Sequence, residues 1–341
     1  MVNIKGITRK NVLEMNPYSS ARSEYQGTAN IWLDANENPN ETVLNRYPDP
    51  LQTSLKTEIA ALRKVDTDRI FIGNGSDEII DLLFRAFCEP GKSKVYIFPP
   101  TYGMYKVSAA INNIEIVEIP LTEKFELPSF EVIQTKVNAP GLLFICSPNN
   151  PTGNSTSMEE INKIALNFNG IVVVDEAYID FSEQESALSL HNENSNIIIL
   201  QTFSKAYGLA GARVGMAFSN PEIIAILNMI KPPYNVNTLS INVALEVLSA
   251  NERIQWQISK IKQERKLMIK QLIQLEIVKS VYPSDTNFLL VKFSNEELVF
   301  QNLLKNGIVV RNRASQIENC LRITIGTKTE NEQLIKLLKA I

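Results

Sequence analysis

Short apolar runs alternate with amphipathic stretches through the first two thirds of the chain. The runs IVVV at 171–174 and IIIL at 197–200 lack polar alternation, which is typical of strands buried on both faces. Between such runs lie stretches with apolar residues three and four positions apart, the periodicity of an amphipathic helix. The predicted strands are 69–72, 94–98, 114–119, 141–146, 171–174 and 196–200, and the predicted helices are 77–87, 102–110 and 158–168. This alternation predicts a mostly parallel α/β sheet sandwiched by helices.

The pattern changes after Ser219-Asn220-Pro221, where longer helical stretches begin. Further helices are predicted at 222–230, 237–250, 252–275, 295–306 and 330–341, and strands at 287–293, 308–311 and 321–325. The first 45 residues have the composition of loops that wrap onto other parts of the molecule. We therefore expect a large α/β domain at 46–250 and a smaller α+β domain formed by 1–45 and 251–341.

Composition narrows the class of protein. The 341 residues exceed one ordinary domain, and the formal charge of −3 gives a nucleic-acid partner no electrostatic support. We expect no membrane partner, since no apolar run approaches spanning length and the first ten residues lack a signal-peptide core. The cysteines at 88, 146 and 320 form neither a disulfide framework nor a metal-binding pair, so we expect no metal and a cytoplasmic location.

The chain contains a single histidine, His191, whose polar neighbours favour a surface loop. A Ser-His-Asp hydrolase or a His-rich metal site would have to depend on this residue alone. Proton transfer is therefore expected from Lys, Asp, Glu, Tyr or a cofactor.

Four polar segments follow predicted strands, where open α/β sheets bind their ligands. In GNGSDE at 73–78, Gly75 lets the backbone approach an anion, and a helix start at Ser76 offers free N–H groups. A tight turn with an N-cap explains this segment equally well. In SPNNPTG at 147–153, a rigid turn could direct the Asn150 amide at a ligand, or it could be a structural loop only.

The third segment places Asp175 after the strand at 171–174, with Tyr178 three residues further on. A carboxylate at the end of a doubly buried strand is costly unless it is paired. It could hold the proton of a ring nitrogen, although an N-cap or a buried ion pair would also explain it.

The fourth segment is TFSKAYGLAGARVG at 202–215. Lys205 lies among small and apolar residues, where desolvation would lower its pKa and make it a nucleophilic amine. Ser204 and Arg213 could hold a phosphate. A surface lysine in a glycine-rich loop is the alternative interpretation.

Together these segments match the needs of pyridoxal 5′-phosphate (PLP). This coenzyme requires a lysine for its aldehyde, an acid for its pyridine nitrogen, donors for its phenolate oxygen and a cradle for its phosphate. The predicted catalytic residues are Lys205, Asp175 and Tyr178, and the predicted coenzyme contacts also include Gly75, Ser76, Asp77, Asn150, Thr202, Ser204 and Arg213.

The motifs SPNNPTG, VVVDEAY and TFSKAYGLAGARVG resemble those of fold-type-I PLP-dependent aminotransferases. The finer pattern resembles the histidinol-phosphate aminotransferase family from about residue 12 to the C-terminus. It comprises NPYSSAR at 16–22, LDANENP at 33–39, RYPDP at 46–50, GNGSDE, PPTYGMY at 99–105, KPPYNVN at 231–237 and CLRITIGT at 320–327.

The resemblance implies further roles. Tyr102 would stack on the coenzyme ring, Tyr47 would reach the cofactor phosphate of the neighbouring subunit in a homodimer, and Arg311 and Arg322 would bind substrate with Tyr18 and Asn36 nearby. Surface ion pairing would also explain the two arginines. Asn312-Arg313 departs from the acid that family members often carry after Arg311, so Arg313 could share its role.

The implied reaction is amino transfer between L-histidinol phosphate and 2-oxoglutarate in histidine biosynthesis, giving imidazole acetol phosphate and L-glutamate. An aromatic amino-acid aminotransferase, or a decarboxylase of a phosphorylated amino acid, is the alternative on the same scaffold. A non-catalytic PLP-fold regulator is the alternative of another class, which intact Lys205, Asp175 and Arg213 disfavour.

Overall fold

The computed structural model describes residues 2–19, 21–25, 27, 29–192 and 195–341, and of Ser23, His191 and Asn192 it describes the backbone only. The expected surface position of the His191 side chain therefore lies outside the described residues. Within these ranges, no helix combines the length and the apolar character needed to cross a membrane.

Thirteen α-helices and eleven strands occur in the described ranges. The helices are α1 Ile4–Ile7, α2 Lys10–Leu13, α3 Ala21–Glu24, α4 Thr53–Arg63, α5 Ser76–Phe87, α6 Met104–Ile111, α7 Phe130–Lys136, α8 Met158–Asn167, α9 Pro221–Ile230, α10 Thr238–Ser249, α11 Asn251–Leu272, α12 Glu296–Lys305 and α13 Lys328–Leu338. The strands are β1 Ile70–Asn74, β2 Lys94–Ile97, β3 Glu115–Glu118, β4 Gly141–Cys146, β5 Ile171–Asp175, β6 Ile197–Thr202, β7 Val214–Phe218, β8 Val278–Val281, β9 Phe288–Phe293, β10 Arg311–Asn312 and β11 Cys320–Thr324.

The large sheet has seven strands in the order β1-β7-β6-β5-β4-β2-β3. Strands β2 to β6 pair in parallel, and β7 runs antiparallel between β1 and β6. The predicted mostly parallel α/β fold is confirmed. Strand β7 was not predicted, because VGMAF follows the glycine-rich segment without a helix between them.

Alternate residues of the large sheet belong to two hydrophobic clusters, one on each face. In β5, Val172 and Val174 lie in one cluster, and Ile171 and Val173 lie in the other. Every residue of this strand is buried, as expected for a strand covered by helices on both sides. The sheet therefore presents its parallel strand ends, rather than its faces, to solvent and ligands.

A four-stranded antiparallel sheet of order β10-β11-β9-β8 forms the smaller layer and packs with α11, α12 and α13 around a third cluster. The strand predicted at 308–311 is wrong in position, since the observed strand, β10, covers only Arg311–Asn312. Ile308 is not free to join the sheet, because its backbone N–H donates to the Leu303 carbonyl oxygen at the end of α12. Strand β8 was not predicted. The expected division into 46–250 and 1–45 with 251–341 stays a prediction, and Ile4 and Val12 pack in a cluster of the large sheet.

Candidate active site

A cavity of about 420 Å³ opens at the carboxyl ends of the parallel strands and is closed on one side by the small sheet. Most residues predicted for coenzyme and substrate line it: Ser76, Asp77, Tyr102, Asn150, Asp175, Tyr178, Thr202, Ser204, Lys205, Arg213, Arg311 and Arg322. They come together because β1, β4, β5 and β6 end at the same edge of the sheet.

Asp175 is the last residue of β5 and only 3% exposed. The Tyr105 hydroxyl donates to its Oδ2 at 2.6 Å, and the Ala177 N–H donates to its Oδ1 at 3.2 Å. Burial raises the pKa of this carboxyl, and these two donors oppose the effect. Asp175 caps no helix and forms no ion pair among the described residues. A buried carboxyl that faces a cavity without a cation of its own suits a protonated ring nitrogen.

Tyr105 is a site residue that the sequence did not reveal. It lies on α6, is fully buried, and its own pKa is raised well above the usual value by burial beside Asp175. A buried tyrosine hydroxyl needs a hydrogen-bond partner. The PPTYGMY motif contained that signal, since its second tyrosine falls on the buried side of a predicted helix.

Lys205 follows β6 and extends into the open cleft, so the walls of the cleft bury its side chain only in part, and the small residues around it in sequence do not enclose it. Its ammonium lies 5.6 Å from the centre of the Tyr178 ring. Partial burial lowers the pKa of Lys205, and the positive charge of Arg322 acts in the same direction. These surroundings therefore lower the pKa of Lys205, in the direction that the sequence predicts.

Two glycines shape an anion cradle at the start of α5. Gly75 has a φ of +77°, and a Cβ there would lie 2.5 Å from the Arg213 guanidinium. A Cβ at Gly215 would lie 2.3 Å from the Ser76 amide nitrogen. Only residues without a side chain let this turn, the helix start and Arg213 approach each other so closely. The free N–H groups of the helix and the guanidinium together suit a phosphate.

Asp77 connects this cradle to the aromatic wall of the cleft. Its carboxylate accepts from the Tyr102 hydroxyl at 3.0 Å and from Arg213 Nη2 at 3.3 Å. It therefore fixes both the ring that is expected to stack on the coenzyme and the guanidinium that is expected to hold its phosphate.

The small sheet contributes a wall of arginines. Arg311 and Arg322 are directly opposite each other in the β10–β11 pair. Arg322 Nη1 donates to the Asn150 side-chain oxygen, and Asn150 Nδ2 lies 3.5 Å from the Tyr178 hydroxyl. Neither arginine forms an ion pair with a described carboxylate, so surface ion pairing does not account for them. Arg313 lines the same cavity.

Three predicted residues lie outside this cleft. Tyr47 is half exposed and stacks on Tyr234 with ring centres 4.4 Å apart. Asn36 lines a separate surface hollow together with Tyr47, and Tyr18 is 70% exposed. Within one chain these residues do not join the Lys205 cavity, and their roles stay predictions.

The donor set fits PLP. Lys205 supplies an amine, Asp175 a buried acid, Asn150 and Tyr178 polar atoms beside it, and the glycine-shaped cradle with Arg213 an anion site. Among the described residues, only Asp77 forms an ion pair with Arg213.

The family model for aminotransferase class I and II matches residues 12–341. A histidinol-phosphate aminotransferase of Christiangramia forsetii is 50% identical, over 99% of this chain and 98% of its own. The crystal structure of the histidinol-phosphate aminotransferase from Clostridium acetobutylicum is 28% identical with a TM-score of 0.80, covering 87% of this chain and 90% of its own. That of the Sinorhizobium meliloti enzyme in complex with pyridoxal-5′-phosphate has the same TM-score at 24% identity, covering 87% and 83%.

Proposed function

This chain belongs to the class I and II aminotransferases, which use PLP, and from this premise we propose that it transfers the amino group of L-histidinol phosphate to 2-oxoglutarate. The products are imidazole acetol phosphate and L-glutamate, a step of histidine biosynthesis. The relatives named above support this choice. The observation that carries it is the wall of arginines without acidic partners, which lines the same cavity as Lys205.

When bound, PLP supplies an aldehyde for the substrate amine and a ring that withdraws electrons from the substrate Cα. Lys205 Nζ would accept the proton that leaves the Cα of the amino donor, and in the second half-reaction it would deliver a proton to the Cα of the product amino acid. Its lowered pKa leaves more of the amine neutral and able to accept that proton. Asp175 would hold the ring nitrogen in its protonated form, and the Tyr105 hydroxyl and the Ala177 N–H fix the orientation of the Asp175 carboxylate.

The substrate pocket has to accept two kinds of anion in turn. Histidinol phosphate ends in a phosphate, whereas 2-oxoglutarate and glutamate end in a carboxylate. Arginine suits both, because its planar fork binds either group with two hydrogen bonds. Arg311 and Arg322, side by side on neighbouring strands, are the residues that perform this role.

The test compares amino donors with purified protein, added PLP and 2-oxoglutarate. We expect the highest kcat/KM for histidinol phosphate, exceeding that for unphosphorylated histidinol about tenfold to a hundredfold, as one charge-assisted contact provides. Better turnover of phenylalanine or tyrosine would identify an aromatic aminotransferase instead. Release of carbon dioxide from a phosphorylated amino acid would identify a decarboxylase. No turnover of any donor by protein that contains bound PLP would favour a regulator.

We further propose that the protein acts as a homodimer with shared active sites, in which Tyr47 contacts the cofactor phosphate of the neighbouring subunit. Leu44 and Leu239 are exposed and line one surface hollow with Tyr47, and Ile31, Leu33 and Val43 are exposed in the segment that precedes it in sequence. An exposed apolar area of this kind is typical of a protein–protein contact. The cytoplasm is the proposed location, supported by three buried cysteines that are all free.

A further inference from the structure

Arg313 is the third guanidinium that the small sheet and its adjoining turn add to the cavity, after Arg311 and Arg322, and it follows directly after β10. The backbone N–H of Arg313 donates to the Cys320 carbonyl oxygen at 2.9 Å, which continues the pairing of β10 with β11. Side chains two positions apart in an extended strand point to the same face. Arg313 therefore returns to the face of Arg311, and both line the cavity together with Arg322 and Lys205.

No acid balances this group of three arginines among the described residues. Arg313 Nε is buried and has no hydrogen-bond partner there, and none of the three forms an ion pair with a described carboxylate. Burial lowers the pKa of Arg313 to about 10, and the charges of Arg322 and Arg311 add to this effect, opposed only by Tyr178. Holding a partly buried guanidinium without a counter-charge, and with its Nε out of water and unbonded, is unfavourable unless a ligand supplies the missing negative charge.

We propose that Arg313 is a specificity-determining residue, whose guanidinium completes the substrate's anion pocket with Arg311 and Arg322 and favours a phosphate dianion over a carboxylate. The proposal rests on the proposed function, since it assigns the phosphate-binding group of that same site. Three positive charges gain more from a group of charge −2 than from one of charge −1. A third fork also supplies donors for the third terminal oxygen, which a carboxylate lacks.

A structural role of the Arg313 side chain has little support, because the backbone of this residue makes the local contacts. Its N–H bonds Cys320 O, and its carbonyl accepts the N–H groups of Gln316 and Ile317, both at 2.8 Å. The neighbouring Asn312 instead supports the turn with its side chain, since Asn312 Oδ1 accepts the Ala314 N–H at 2.8 Å. Asn312→Ala thus disturbs the same turn without removing a charge from the cavity.

The experiment measures kcat/KM for histidinol phosphate, for histidinol and for 2-oxoglutarate in the PLP-loaded enzyme and in three variants. Arg313→Gln is expected to lower the preference for the phosphorylated amine about tenfold to a hundredfold, mainly through KM, with a smaller effect on 2-oxoglutarate. Arg313→Lys should recover part of the preference, because it restores the charge but not the fork. Asn312→Ala should keep the wild-type preference. Inorganic phosphate, titrated into the holoenzyme, should bind more weakly to Arg313→Gln than to wild type.

The outcomes separate this proposal from the function on which it rests. If wild type prefers the phosphorylated amine and Arg313→Gln keeps that preference, the assignment of Arg313 is wrong and the proposed function stands. If Asn312→Ala loses the preference as fully as Arg313→Gln, the turn matters rather than the charge, and the assignment is again wrong. If wild type shows no preference for the phosphorylated amine, both proposals are wrong.

Discussion

Replacing Asp175 by Asn tests the chemistry of the cleft with the smallest change of shape. The amide keeps an oxygen that can accept the Tyr105 hydroxyl, so the packing around β5 is preserved. What disappears is the negative charge that keeps a proton on the ring nitrogen. We expect kcat for amino transfer to fall by about a thousandfold, while the coenzyme still binds.

The size of this loss follows from the burial of Asp175. A carboxylate 3% exposed, paired with a protonated ring, is a buried ion pair, and removing one partner of such a pair costs about 3–5 kcal/mol. At about 1.4 kcal/mol for each factor of ten in rate, the middle of this range gives about a thousandfold. Tyr105→Phe should have a smaller effect, because the hydroxyl only holds the carboxylate in place.

Asp175→Asn lowers the expected activity, but it should not lower the stability of the protein without coenzyme. Burial raises the folded-state pKa of Asp175 above its unfolded value. The free energy of unfolding is therefore least reduced by Asp175 at low pH, where its carboxyl is neutral in both states. It falls as the pH rises through the folded-state pKa of this carboxyl. Asp175→Asn removes this penalty, so at neutral pH the variant without coenzyme should have a Tm equal to or above that of wild type.

The assay follows single half-reactions at saturating substrate, with the absorbance of bound coenzyme as proof of occupancy. Thermal unfolding of the coenzyme-free proteins gives the second measurement. Near-wild-type turnover in an occupied Asp175→Asn enzyme would show that the carboxylate is only structural. A large fall in Tm would show that the activity loss reflects damage to the fold.

Four further predictions follow from the cleft and its surroundings. Borohydride reduction and peptide mass mapping should locate the coenzyme on Lys205, and Lys205→Ala should lose nearly all transamination; a label on another lysine would refute the assignment. Mixed Lys205→Ala and Tyr47→Phe chains should recover activity in part, whereas no recovery despite confirmed subunit exchange would place Tyr47 in its own chain's site. Arg311→Ala should weaken histidinol phosphate about tenfold to a hundredfold more than histidinol, measured as kcat/KM. Burial raises the pKa of Glu176 to about 7, so the free energy of unfolding should fall as pH rises from about 4.5 through 7, and Glu176→Gln should flatten that dependence in urea titrations.

The sequence predicts those parts of the fold whose signal is local. Strand β4 has the predicted bounds and β5 extends only one residue further, because each is a continuous apolar run between polar segments. Strand β7 escaped prediction because its five residues begin where a glycine-rich loop ends. Strand β8 escaped it because it is only half buried and its pairing with β9 is irregular, so no clean alternation appears.

The residues on one side of the cleft can be placed from the sequence, whereas those on the other side cannot. Lys205 and Asp175 follow parallel strands, and one general rule brings such ends together. Arg311, Arg313 and Arg322 meet the same cavity only through the register of β10 with β11 and the packing of the small sheet against the large one. Both are long-range properties that a local pattern does not contain. This separation also has a functional consequence: Arg322 is coupled to Lys205 and Asn150, but the described hydrogen bonds of Asp175, Tyr105 and Arg213 do not involve the turn that begins at Arg311. Changes in the β10–β11 turn can therefore alter which anion is preferred, while Asp175, Tyr105 and the cradle of Arg213 keep their contacts with one another and with the coenzyme site.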